Sequence, residues 1–143
     1  MIRALLLVAL LVSSAMAQEP RVPRDVVGVS TLGYWQTASQ SGTYRVVVTQ
    51  NGWEHVWSQV FVQWLPEPKS RDAAEPPITV AELLPPVAQG TFVLEASAKR
   101  GRNNEVLVSV RATSNMEVQA KPLRFVFSAR APGVIELLPS AKR

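Results

Sequence analysis

The sequence predicts an all-β chain behind a short N-terminal leader, and three observations predict it. Beyond residue 17, apolar residues recur mostly at every second position, the period of a strand. Turn-forming clusters such as Asn51-Gly52, Gly101 to Asn104 and Pro132-Gly133 interrupt these runs at short intervals. The runs themselves are rich in β-branched and aromatic residues, which suit a pleated surface. Seven to nine antiparallel strands in one body follow, arranged as an immunoglobulin-like β-sandwich, with a small β-barrel as the alternative.

Residues 1–17 form the leader. Arg3 gives a charged start, Ala4 to Val12 is an unbroken apolar run, and Ala15-Met16-Ala17 fits a small-residue cleavage site. The run has nine residues, whereas a helix needs about 20 to span a bilayer. The order is that of a secretory signal peptide. The mature chain is expected to start at Gln18, with residues 18–143 as a single domain and no membrane span after cleavage.

Pro20 to Pro23 is expected as an extended lead into a strand over Val26 to Leu32. Gly33-Tyr34-Trp35 then opens a segment rich in Ser, Thr and Gln, read as a loop or an edge strand. The central unit is a hairpin over Thr43 to Leu65. Asn51-Gly52 supplies the two residues that tolerate positive φ in a tight turn. A two-residue loop there would set Gln50 opposite Trp53, Val48 opposite His55 and Val46 opposite Trp57. One face would gather Tyr44, Val46, Val48 and Trp57, with Phe61 further along, and the other Val47, Val56, Val60, Val62 and Trp64.

Pro66 to Pro77 holds four prolines and five charges in twelve residues, a composition that fits an exposed loop and no sheet. Ile78 to Leu84 reads as a short strand, because Pro85-Pro86 stops a helix within two turns. Thr91 to Lys99 alternates Phe92, Leu94, Ala96 and Ala98 against Val93, Glu95, Ser97 and Lys99, and Glu105 to Ala112 alternates Val106, Val108, Val110 and Ala112 against Glu105, Leu107, Ser109 and Arg111. A further strand turns at Thr113-Ser114-Asn115, passes Glu117 and Val118, and continues from Leu123 to Ala129, with Leu123, Phe125, Phe127 and Ala129 inward. The last runs from Val134 to Leu138, and Pro139 to Arg143 is expected as a tail.

Composition narrows the setting. The chain contains no cysteine, so neither disulfides nor a cysteine-linked lipid can stabilise or anchor it. It has no N-x-Ser/Thr sequon either. Export without these features suits a bacterial periplasmic protein, or alternatively a secreted one. The net charge is +4, distributed unevenly. Residues 18–90 carry 5 basic and 7 acidic side chains, and residues 91–143 carry 9 and 4. The basic second half favours anionic partners. No nucleic-acid motif is present, and export argues against such a partner.

The chemistry of catalysis finds little support. His55 is the single histidine, and the serines near it in sequence lie in no nucleophile elbow. The glutamates are scattered over separate strands, so no pair is marked for acid and base roles. One histidine, no cysteine and no Asp-x-Asp run argue against a metal, and no phosphate-binding glycine loop suggests a cofactor. No catalytic residue, metal or cofactor is therefore assigned.

The aromatic and basic residues are the remaining candidates. Tyr34, Trp35 and Trp53 are expected on a binding surface, since tryptophan stacks on sugars and anchors interfaces. Lys99, Arg100 and Arg102 make a second, basic surface at one turn. Three functions follow in order. The first is a non-enzymatic exported β-domain that binds another envelope protein. The second is a module for glycan or peptidoglycan that stacks on Tyr34, Trp35 and Trp53. The third is a hydrolase built on His55.

Overall fold

A computed structural model of the chain describes residues 23–70, 75–83, 90–117 and 119–139. The expected leader at 1–17, Pro85-Pro86, most of the lead at Pro20 to Pro23 and all but the first residue of the Pro139 to Arg143 tail lie outside the described residues.

Eight strands follow in order: β1 (Val26–Gln36), β2 (Ser41–Asn51), β3 (Trp57–Pro66), β4 (Thr79–Leu83), β5 (Thr91–Arg100), β6 (Val106–Ser114), β7 (Leu123–Ala129) and β8 (Ile135–Leu138). No helix occurs among the described residues. Strands β1 to β4 form one antiparallel sheet and β5 to β8 a second, each in sequence order. The all-β class and the two antiparallel layers agree with the sequence. The connectivity does not follow the immunoglobulin pattern, in which strands exchange between sheets. Each sheet here is a simple meander, because consecutive strands are paired side by side except at the single step from β4 to β5, which passes from one sheet to the other.

The core lies between the two sheets. From the first come Trp35, Tyr44, Val46, Val60, Val62, Trp64 and Leu83; from the second come Val93, Val106, Val108, Val110, Ala112, Phe127 and Ala129. Each buried large aromatic removes about 150–250 Å² from water. At about 25 cal/mol per Å², that contributes roughly 4–6 kcal/mol per ring as an upper bound. Trp35, Tyr44 and Trp64 are therefore the heaviest single contributors.

The hairpin at Asn51-Gly52 reverses the chain where expected, but with a longer loop. Asn51 pairs with Trp57, Gln50 with Ser58, Val48 with Val60 and Tyr44 with Trp64. Residues 52–56 form the loop, five rather than two. Gly52 takes φ +95°, and a side chain there would press on the His55 carbonyl. The odd shift in register exchanges faces on one strand. Tyr44, Val46 and Val48 now share the inner face with Val60, Val62 and Trp64, and Trp57 points outward. The outer face keeps an apolar row of Val29, Val47 and Phe61.

Three bulges alter the simple alternation. In β1, Val27 is one extra residue between Val26↔Thr49 and Gly28↔Val48. A second irregularity lies between Leu32↔Tyr44 and Trp35↔Gly42. Gly33 enables it at φ +71°, where an added Cβ would stand 2.7 Å from Val106 Cγ2. Strict alternation from Leu32 would send Trp35 outward; the inserted residue turns it inward. In β5 the bulge falls at Leu94, between Val93↔Ala112 and Glu95↔Arg111. It buries Val93 and leaves Leu94 exposed, the reverse of the expected pattern.

Candidate functional site

The two sheets have two ends. One end carries the turns at 37–40, 101–105 and 130–134 and the described residues that follow β3 and precede β4, 67–70 and 75–78. Thr37 N donates to Gln40 O across the first turn, and Glu67 N and Ile78 N donate to Ser41 O and Trp64 O beside it. Tyr44 and Trp64 reach the other two. The Tyr44 hydroxyl lies 2.6 Å from the Arg130 carbonyl and 2.9 Å from that of Asn104, and Trp64 Nε1 donates to Arg130 O at 2.9 Å. Burial, then the nearby Glu105 carboxylate, pushes the Tyr44 hydroxyl up to about 12.

Beside that junction sits a polar cluster. The buried Ser128 hydroxyl donates to Glu105 Oε2 at 2.6 Å, and the Arg102 amide donates to Glu105 Oε1 at 3.2 Å. Arg130 reaches Glu105 at 3.5 Å and Glu136 at 3.6 Å. The Ser128 bond, aided by the Arg102 amide and Arg130, holds the Glu105 carboxyl below its usual range. Each member has a partner, and the cluster ties the turns together.

The opposite end carries the 52–56 loop, Gly90, the turn after β6 and the start of β1. Gln50 donates to the Asp25 carbonyl there. Asn115 Nδ2 donates to Val56 O at 3.1 Å, which fixes the β6–β7 turn against the loop. The large side chains gathered here are open to water: Trp53 is 95% exposed, Trp57 42% and Met116 58%. His55 is also exposed on this loop, and no side-chain hydrogen bond to it occurs among the described residues.

The six sequence candidates divide between these places. Trp53 stands at the tip of the 52–56 loop. Tyr34, Lys99, Arg100 and Arg102 are exposed at the other end, where Gly33 touches Val106, the pairing partner of Arg100. Trp35 is 1% exposed, and its Nε1 donates to Thr43 O at 3.0 Å. Its expected place on a stacking surface is corrected: the Gly33 bulge turns its ring into the core. Tyr34, Trp35 and Trp53 therefore form no common platform. The sequence reading placed Trp57 in the core, because the two-residue turn assigned it inward, and did not single out Met116. The Asn115 side chain that brings Met116 to the loop has no signature in the sequence.

Hollows of about 570 Å³ lie beside Leu123, Phe125 and Leu137, and between Ser39 to Ser41 and the 66–78 loop. A third, about 290 Å³, opens between Val27-Gly28 and Val93 to Ala96. His55 lines none of them. Among the described residues, no group of three or more His, Asp or Glu converges as a metal site, and no helix is long and apolar enough to cross a membrane. Compared with protein families, curated proteins and solved structures, the chain matches none of them.

Proposed function

We propose that the protein is an exported, non-catalytic β-domain that binds another protein of the cell envelope, through the end formed by Trp53, Trp57 and Met116. The leader pattern in residues 1–17 supports export, with the periplasm as the place of action. The observation that carries the reading is Trp53. A tryptophan 95% exposed contributes nothing to the core, yet its loop is built: Gly52 takes a positive φ that a side chain would not tolerate there, and Asn115 clamps Val56. Tryptophan is the side chain most enriched among residues that dominate interface energy, and methionine adapts to varied partners.

Glycan stacking is the competing use of an exposed tryptophan. It fits less well because Trp35 is buried in the core while Tyr34, Lys99, Arg100 and Arg102 stand at the other end, so the residues expected to stack on and hold a sugar polymer form no common surface with Trp53. The test is affinity capture from envelope extract with the wild-type chain and with Trp53→Ala. A specific protein retained by the first and lost by the second supports the reading. Capture that ignores Trp53→Ala, or emission that shifts only with peptidoglycan fragments, overturns it.

A further inference from the structure

β1 is a sheet edge unlike the other three. β4 is five residues long and carries Glu82; β8 is four residues long and carries Glu136. β5 carries Glu95, Lys99 and Arg100. Short length and charge are the usual guards against pairing with another chain. β1 runs eleven residues, VVGVSTLGYWQ, with no charge and no proline. Along its first half, Val27 and Val29 are 54% and 56% exposed, and Ser30 and Thr31 are exposed as well.

We propose that β1 pairs with β1 of a second copy of this chain, antiparallel and about a two-fold axis. The two bulges leave Gly28 to Leu32 as the regular stretch. Two copies of that stretch overlap fully in one register, with Ser30 opposite Ser30 of the second copy. Val29 then stands beside the second copy's Thr31, a β-branched pair suited to cross-strand contact. It lengthens the outer row of Val29, Val47 and Phe61. On the other face, Gly28 receives the second copy's Leu32, so the smallest side chain meets the largest in the stretch. A charged strand repels its own copy; an uncharged one does not, which favours self-pairing over a charged partner segment. The contact is separate from the Trp53 end and independent of what binds there.

Two measurements test it. Sedimentation velocity of the purified protein across micromolar loading should show a concentration-dependent dimer, lost in Val29→Lys/Thr31→Lys. Because the chain has no cysteine, Ser30→Cys introduces a single thiol. Directly opposed antiparallel residues have Cα atoms about 4.5–5.5 Å apart, within disulfide reach. Ser30→Cys should oxidise to a covalent dimer, whereas Ser97→Cys, exposed on the second sheet, should stay monomeric. A wild-type monomer at all loadings overturns the proposal. So does a dimer that survives Val29→Lys/Thr31→Lys, or equal cross-linking at positions 30 and 97. If the double variant fails to fold, the comparison of the two cysteine variants decides.

Discussion

Tyr44 and Trp64 face each other across β2 and β3, and both meet one acceptor, the main-chain carbonyl of Arg130 on the other sheet. Their rings stand 6.0 Å apart and tilted by 58°. A carbonyl oxygen has two lone pairs and can accept from both. The first sheet thus grips the turn after β7 at a single atom, and Tyr44 also touches the turn after β5 through Asn104.

The shared acceptor makes the two side chains energetically coupled. Tyr44→Phe is expected to cost about 1–2 kcal/mol, because Trp64 still serves Arg130 O. Trp64→Phe is expected to cost about 2–4 kcal/mol through lost area and a cavity. The double substitution leaves the part-buried Arg130 carbonyl without either donor and should exceed the sum of the singles by about 1 kcal/mol. Urea unfolding of the four proteins measures this; additive values would contradict the coupling.

The raised Tyr44 hydroxyl gives an alkaline limit. Its folded value of about 12 lies above the unfolded value of about 10, so the protonated form is favoured by folding. That stability is fully present below pH of about 10 and is lost as pH rises toward about 12. Urea midpoints should fall over this window in the wild type and less in Tyr44→Phe. The chain has two tyrosines, so tyrosinate absorbance in Tyr34→Phe reports Tyr44 alone.

Glu105 sets the acid side. Its carboxyl is lowered in the fold, chiefly by the Ser128 hydroxyl, so its contribution is present above the unfolded value of about 4.3 and is lost as pH falls through the folded one. Glu105→Gln and Ser128→Ala should both lower stability at neutral pH and flatten its decline below pH of about 4. Unfolding midpoints between neutral pH and strongly acid pH check the sign.

Two glycines shape β1 and β2. Gly33→Ala puts a Cβ at positive φ and against Val106, and is expected to cost about 2–3 kcal/mol. Gly42→Ala should cost more, because its Cβ would collide with the Leu65 carbonyl on the neighbouring strand and crowd the Trp35 ring. Thermal melts should fall by roughly 10 °C for the first and further for the second.

Strand existence was legible because alternation survives wherever the ladder is regular. β6 and β7 show it: Val106, Val108 and Val110 face Ala129, Phe127 and Phe125 as the pattern implies, whereas Leu123, opposite Ala112 at the start of β7, is 52% exposed rather than inward. Facing failed where a residue is inserted. Gly33 reads as a loop glycine, yet its positive φ keeps Leu32 and Trp35 on one face. Leu94 reads as core, yet it is the bulged residue, and Val93 takes its place. Asn51-Gly52 marks a reversal without fixing its length, and the five-residue loop moved Trp57 from the core to the surface. Trp53 was legible as a surface residue because a turn tip cannot bury it. What stands near its loop was not, since the β6–β7 turn meets that loop through the Asn115 bond to Val56, across 59 residues of sequence.

The most direct measurement pairs stability with capture for Trp53→Ala. Removing a side chain 95% exposed should leave the unfolding free energy within about 0.5 kcal/mol of wild type while abolishing retention of the envelope partner. A variant equally stable and equally able to hold that partner would contradict the assignment of this end as the binding surface.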